Sequence, residues 1–252
     1  PQSHLRRREI ISSAGKTHGV VSSTAQQWYV DPPERVTPQA LREKAYGEYK
    51  VSPRLQALIE GPNFTFVDQG RTGGCGFAAL AHMCQLCGLQ SAWERAVGSN
   101  VRKWKSGNFF TRTYNEYGFD DGYKNWLVVA QEFRKTLPKV ADLFRLFGYQ
   151  FFRARGDRVN KDIPTANADL GDPAAYAGGV VAWIKGQLDR GYVVAIPFCE
   201  HFVPIIGYNA TKFLFLGSYG TKVTELGGFH ELHFTHVELG DIIVDAIVGK
   251  VA

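Results

Sequence analysis

The chain contains a glycine-rich approach to one cysteine, in the stretch Asp68-Gln69-Gly70-Arg71-Thr72-Gly73-Gly74-Cys75-Gly76-Phe77-Ala78-Ala79-Leu80. Apolar residues continue at helical spacing after Cys75, which predicts a buried helix from Cys75 to about Gly88. A helix N-terminus carries unsatisfied N–H groups and about half a positive charge, so a thiol placed there ionises more easily. Gln69 precedes this helix by a short loop, and its amide and the Cys75 N–H could together hold a developing oxyanion. Two parts of an acyl-transfer site are therefore close in the sequence.

A thiol nucleophile needs a base, and His201 is the best candidate for it. The residues that follow, 202–208, are an apolar run that predicts a buried strand. The alternative is that His201 only begins this core strand and has no chemical role. The combination of Cys75, Gln69 and His201 favours the chemical role.

Three short segments of the chain resemble the papain-like cysteine peptidase superfamily. The family's glutamine-to-cysteine segment is similar to Gln69-Gly70 with Gly74-Cys75, and its histidine strand is similar to His201 with Ile206-Gly207-Tyr208. A later strand of the family ends in asparagine-serine-tryptophan-glycine. It is similar to Phe215-Leu216-Gly217-Ser218-Tyr219-Gly220-Thr221. The separation of Cys75 and His201 is close to the roughly 130–150 residues of papain-type enzymes. The residues around Cys75 and His201 also look like the branch that cleaves double-glycine leader peptides in bacteriocin export.

The chain departs from the papain pattern at two positions. Gly76 stands where papain relatives usually have tryptophan, which favours the leader-peptidase branch. Gly217 falls at the position of the asparagine or aspartate that orients the histidine, and glycine cannot orient an imidazole. A hairpin turning at residues 209–211 would bring Ser218 opposite His201, so Ser218 is the nearest polar substitute.

The order of predicted elements, helices first and strands later, indicates an α+β fold. The resemblance implies a papain-like version of it, in which a helical half with the Cys75 helix packs against an antiparallel sheet half with His201. Residues 1–60 are assigned to an N-terminal arm and helix, either a pro-segment or an attachment device, and residues 61–252 to the peptidase domain. The tail, residues 237–248, is ambiguous between helix and strand, and we favour helix.

Composition excludes a disordered chain and gives only weak information about partners. The chain has 252 residues, 44% of them hydrophobic, with 17 Phe, 11 Tyr and 5 Trp, enough to bury a substantial core. A net charge of +5 is too small to specify nucleic acid. The basic triplet Arg6-Arg7-Arg8 is either a solvated run or an anchor for an acidic partner or RNA.

Four cysteines are too few for a disulfide scaffold of this length and favour a reducing, intracellular compartment such as the cytoplasm. No apolar run is long enough to span a membrane, so we expect no membrane-spanning segment. Cys84 and Cys87 are more consistent with small buried side chains than with a zinc site. Cys199 is expected to be buried in the sheet, with redox modulation of the site as the alternative.

Three histidines are spaced three apart, at His230, His233 and His236. On a helix they could converge on a metal, but the aromatic surroundings favour a strand, where His230 and His233 would lie on opposite faces. The sequence therefore predicts neither a metal nor a cofactor.

Two functions remain open. In the favoured one, the chain is a cysteine peptidase acting on a peptide or protein substrate. Cys75 is then the nucleophile, His201 the base, Gln69 the oxyanion donor and Ser218 the substitute orienting group. In the alternative, the papain-like fold is an inactive scaffold or structural subunit, an interpretation supported by Gly217 and by the basic N-terminal arm.

Overall fold

The computed structural model describes residues 37–69, 73–98, 125–152, 179–198, 201–218, 226–238 and 245–252. The helices in this part of the chain are α1 (Pro38–Glu48), α2 (Pro53–Glu60), α3 (Cys75–Leu86), α4 (Gln90–Val97), α5 (Trp126–Thr136), α6 (Pro138–Ala141), α7 (Gly179–Asp189) and α8 (Phe234–Glu238), with a 3₁₀ helix at Asp142–Leu146. The strands are β1 (Lys50–Val51), β2 (Gly148–Phe151), β3 (Tyr192–Phe198), β4 (His201–Tyr208), β5 (Lys212–Leu216), β6 (Phe229–His233) and β7 (Asp245–Lys250).

All the described strands belong to one antiparallel sheet with the order β2-β7-β3-β4-β5-β6, and β1 pairs with β4. The hairpin between β4 and β5 turns at Asn209, whose Oδ1 accepts the N–H groups of Thr211 and Lys212 at 3.0 and 2.9 Å. The predicted hairpin is thus confirmed. It brings the chain after β5 back alongside the start of β4.

Helices cover both faces of the sheet. One face packs against a core that contains α3 and α5, and the other packs against α7 and α8 through residues such as Trp183 and Phe234. The predicted α+β class is confirmed, and the layer formed by α7 and α8 adds to the single helical half expected from the sequence.

Two short helices near the start of the described chain have sequence-encoded beginnings. Thr37 caps α1 and Ser52 caps α2, each accepting a backbone N–H at 3.2 Å, and each is followed by proline at the first helical position. Their buried residues Ala45, Leu55 and Ile59 lie in the same core as α3. The described part of the predicted N-terminal segment therefore packs onto the rest of the fold.

The helix α3 is the most buried element, as its uniformly apolar sequence predicts. All of its residues from Cys75 to Leu86 are buried, and Gly88 follows with a positive φ of 69°. The sequence of residues 121–147 predicts two helices broken near Pro138, with Trp126, Leu127, Val129 and Phe133 facing inward on the first. The break separates α5 from α6, and these side chains are buried except Leu127, which is half-buried.

The weak preference for helix in residues 237–248 is wrong for most of that segment. The chain leaves α8 at residue 238 and returns as strand β7, which lies between β2 and β3. Because both faces of β7 are covered, all its residues from Asp245 to Gly249 are buried and the strand shows no polar alternation. An apolar run without alternation does not distinguish a strand from a buried helix.

The buried carboxylate of Asp245 ties β7 to the start of α5. It accepts the backbone N–H groups of Trp126 and Leu127, each at 3.1 Å, and the hydroxyl of Tyr149 at 3.0 Å. A carboxylate at a helix N-terminus satisfies N–H groups that have no partner within the helix. Burial nevertheless raises the pKa of Asp245 to about 6.

Several predictions fall on residues outside the described ranges. Two are the basic triplet at residues 6–8 and Cys199. The sequence also predicts a helical stretch at residues 91–105, a polar surface loop at 154–172 and a helix that starts at residues 172–173. The end of that stretch, the loop and the helix start lie outside the described ranges. Within the described ranges, no helix combines the length and the hydropathy needed to cross a bilayer.

We predict that Gly249→Ala destabilises the fold, because β7 leaves no room for a side chain there. A Cβ at this position would overlap Cys87 Sγ and lie 3.0 Å from Cδ1 of Phe147. We expect the free energy of unfolding, measured with urea, to fall by about 1–3 kcal/mol, as in other overpacked cores. The matched control is Gly47→Ala in α1, where nothing lies within 4 Å and alanine should stabilise the helix by about 0.5–1 kcal/mol. Equal effects of the two substitutions would contradict this packing.

Candidate active site

The segment before the glycine-rich loop runs along α3 and is held there by buried polar side chains. The Gln85 side chain accepts the Thr65 N–H at 2.7 Å and donates to the Thr65 carbonyl at 2.9 Å. One helical turn closer to Cys75, His82 Nε2 accepts the Val67 N–H at 2.8 Å. The buried residues of the segment, Thr65 and Val67, thus contact α3 progressively closer to its N-terminus. The next buried residue of the segment is Gln69.

Cys75 is the first residue of α3. The N-cap is Gly74, and the Cys75 sulfur lies 4.0 Å from the carbonyl oxygen of Gly73. Only 2% of the Cys75 surface is exposed. The thiol therefore lies at the positive end of the most buried helix, and its environment is set by the neighbours of the first helical turn.

Ser218, directly after the end of β5, connects Gln69 with His201. The Gln69 N–H donates to the Ser218 carbonyl at 2.8 Å, and the Ser218 hydroxyl donates to Gln69 Oε1 at 2.5 Å. The same hydroxyl oxygen lies 3.5 Å from Nε2 of His201. The structure thus brings together Gln69, Ser218 and His201, three of the four residues selected from the sequence, and Gln69 precedes Cys75 by six residues in the chain.

The hydrogen bond from Ser218 to Gln69 limits what the same hydroxyl can do towards His201. Because the hydroxyl proton is given to Gln69 Oε1, the Ser218 oxygen can accept a proton from Nε2–H of His201. The amide of Gln69 is oriented at the same time, with Oε1 on Ser218 and the Nε2–H₂ group directed away from it. A His201 tautomer with Nε2–H leaves Nδ1 as the basic nitrogen.

His201 opens β4, where it pairs with Phe198 of β3. The residue is half-buried, and loss of solvent around its ring lowers the pKa of His201 to about 4. The imidazole is therefore neutral at neutral pH, which is the form that can take a proton from a thiol.

A second histidine, His230 of β6, lies in this region. The sequence singled it out only as one of three evenly spaced histidines and not as a catalytic residue. It is 5% exposed and stacks on Phe215, with ring centroids 5.4 Å apart and an interplanar angle of 22°. Burial, with a smaller contribution from the charge of His201, lowers the pKa of His230 to about 3. The predicted strand is confirmed for His230, which is buried, and for His233, which is exposed, but it is wrong for His236, which lies in helix α8.

The other described cysteines differ from a nucleophile in their surroundings. Burial raises the pKa of Cys84 well above its ordinary value and raises the pKa of Cys87 to about 12. Both are therefore neutral thiols at physiological pH. Across the described ranges, no three His, Cys, Asp or Glu side chains are arranged to hold a metal ion.

Comparison with known proteins adds no relative: no family model, no curated protein and no solved structure matches this chain. The geometry of the site is therefore the basis for assigning a function.

We predict that the protein loses stability as the pH falls from about 6.5 to 4. The pKa values of His82, His201 and His230 are lowered to about 3, 4 and 3, so in this window the unfolded chain binds protons that the folded chain does not. Each histidine should then reduce the free energy of unfolding by about 1.4 kcal/mol per pH unit. The pKa of Asp245 is raised to about 6, so its proton binds to the folded chain first and offsets the effect of one histidine below that pH.

Urea unfolding at pH 7.0, 5.5 and 4.5 measures this dependence. The variant His82→Gln should reduce the pH dependence of the free energy of unfolding by about 1.4 kcal/mol per pH unit, the contribution of one histidine. The matched control His233→Gln removes an exposed histidine and should leave the slope unchanged. A slope that is insensitive to His82→Gln would show that this imidazole is protonated in the folded protein.

Proposed function

We propose that this protein is a cysteine peptidase with a papain-like arrangement, in which Cys75 is the nucleophile and His201 the general base. The observation that carries the proposal is the double contact of the Ser218 hydroxyl with Gln69 and His201. This contact joins the oxyanion donor and the base expected from the sequence at the loop that precedes Cys75.

The proposed reaction begins with transfer of the thiol proton of Cys75 to Nδ1 of His201. The sulfur then attacks the substrate carbonyl carbon, and the carbonyl electron pair moves to the oxygen, which accepts hydrogen bonds from Gln69 and the Cys75 N–H. When the intermediate collapses, the leaving amine takes the proton from His201. Water activated by the same imidazole hydrolyses the thioester.

Two environmental effects support these roles. The helix N-terminus favours a negative sulfur at Cys75, and burial favours a neutral imidazole at His201. The thiolate is a product of the first step, whereas the neutral imidazole is a reactant. Because the same burial disfavours the imidazolium product, the transfer depends on neighbouring groups that stabilise the charged ring. The substrate class that follows from this chemistry is a peptide or isopeptide bond, and the basic N-terminal arm is proposed as a contact for an acidic partner or RNA.

The alternative, an inactive papain-like scaffold, is favoured by two observations. Gly217 has no side chain at the orienting position, and Cys75 is only 2% exposed. Loss of an orienting group lowers turnover without abolishing it, by about 10⁴-fold when the serine-protease aspartate becomes asparagine. The two functions therefore differ in whether the thiol is activated at all.

We predict that iodoacetamide at pH 7 labels Cys75 faster than Cys84 and Cys87, because the helix N-terminus favours its thiolate and burial holds the other two as thiols. Peptide mapping by mass spectrometry measures the three rates, in a Cys199→Ser background. Cleavage of a peptide library by the intact chain should be lost in Cys75→Ala. Equal labelling of the cysteines, or equal cleavage by both proteins, would leave the scaffold role.

We predict that Gln69→Ala lowers kcat by about 10²-fold or more with little change in KM, because an oxyanion donor acts mainly in the transition state. Steady-state kinetics on a peptide cleaved by the intact chain provide the measurement. The matched control is Gln39→Ala, a glutamine on the exposed side of α1, which should leave both constants unchanged. A rise in KM with unchanged kcat would instead give Gln69 a role in substrate binding.

A further inference from the structure

We propose that His230 is the positioning residue of His201, reaching from β6 into the space that a side chain at position 217 would occupy. This inference rests on the proposed function, in which His201 is the general base. It gives the orienting role, which the sequence pattern assigns to the residue after β5, to a different strand.

The space above Gly217 is already filled. A Cβ built on Gly217 would overlap Nε2 and Cδ2 of His230, and it would lie 3.1 Å from the Gly228 carbonyl oxygen. The His230 ring nitrogen therefore lies close to where a side chain of residue 217 would begin. The observed position of the His230 ring requires glycine at 217, since any larger residue there would displace the ring.

The sheet register places His230 on the same face as His201. The ladder pairs Ile205 with Phe215 and Phe215 with His230, so these three side chains share one face. Strand alternation puts His201, four residues before Ile205 along β4, on this face as well, which is the face that packs against α7 and α8. His201 is the first residue of β4, and at this end of the sheet its ring lies 3.5 Å from Ser218 Oγ. The charge of His201 contributes to lowering the pKa of His230, so the two rings are near enough to interact electrostatically.

The His230 ring is held rigidly enough to position a neighbour. It stacks on Phe215, and β6 is aligned with the end of β5 by the hydrogen bond from Gly217 N–H to the Gly228 carbonyl at 3.0 Å. The turn that starts β6 needs glycine at 227 and 228, where φ is 65° and 99°. A short, specific turn therefore fixes where His230 enters the sheet.

A neutral histidine has the chemistry that the role requires. Its unprotonated ring nitrogen accepts one N–H, and the imidazolium formed on His201 during the reaction has N–H groups to donate. Ser218 Oγ lies 3.5 Å from His201 Nε2, longer than an ordinary hydrogen bond, and its proton is engaged with Gln69. His230 would thus hold the His201 ring while Ser218 holds Gln69.

The test measures the rate of Cys75 alkylation by iodoacetamide between pH 4 and 9, because this profile depends on the imidazole beside the thiol. In the intact chain, His230→Ala should lower the rate at pH 6 at least tenfold and move the midpoint of the profile to higher pH. The loss should stay below the roughly 10⁴-fold effect of altering the orienting aspartate of a serine protease. The matched control is His233→Ala, an exposed histidine of the same strand, which should leave the profile unchanged.

A rescue variant separates positioning from packing. Gly217→Asn alone should clash with His230 and lose activity, whereas the same substitution in the His230→Ala background should restore the rate and the midpoint. His230→Phe keeps a ring on Phe215 without a nitrogen, so it should retain the thermal unfolding temperature but not the profile. A wild-type profile in folded His230→Ala or His230→Phe, with glycine kept at 217, would overturn the inference.

The two proposals fail in different ways. If wild-type Cys75 is no more reactive than Cys84 and Cys87, the peptidase proposal fails and the inference about His230 fails with it. If wild-type Cys75 is reactive and the His230 variants match it across the pH range, only the role of His230 is lost.

Discussion

The site depends on the pair of hydrogen bonds between Gln69 and Ser218, one between backbones and one between side chains. These bonds attach the loop before α3 to the end of the sheet, two parts of the chain that are far apart in sequence. The side-chain bond also gives the amide of Gln69 a defined direction at the end of β5. Buried side-chain hydrogen bonds of this kind define a single geometry, since leaving either partner unsatisfied is costly.

The helix α3 supplies the other half of this constraint through two polar residues on an otherwise apolar surface. Gln85 and His82 use their side chains to hold the backbone of residues 65–67 along the helix. The helix thereby satisfies the N–H groups of Thr65 and Val67 and the Thr65 carbonyl, which have no partner in a strand ladder. A polar residue in a buried helix is therefore informative even when it has no chemical role. It indicates that an extended segment packs there and bonds its backbone groups to helix side chains.

Local signals allowed the sequence to predict much of the fold. Capping residues predicted the start of α1, apolar spacing predicted α3, and a short polar turn predicted the β4–β5 hairpin with Ser218 beside His201. Two features escaped prediction because their causes are not local. The strand β7 is apolar on both faces and so lacks a period, and His230 is brought to the site only by the register of β6 on β5. In retrospect, Gly217 was the available signal, since an absent side chain implies that something else fills its space.

The location of β7 also bears on how the protein is made. β2 joins the sheet through β7, which lies between it and β3, and the next residues, Val251 and Ala252, bond to the carbonyls of Gly191 and Leu86. Contacts between residues so distant in sequence form slowly, because a long loop must close first. During translation, β2 can therefore join the sheet only after residues 245–250 have been made. Strands β3 to β6, which carry His201 and lead to Ser218, pair with one another and need no strand made later.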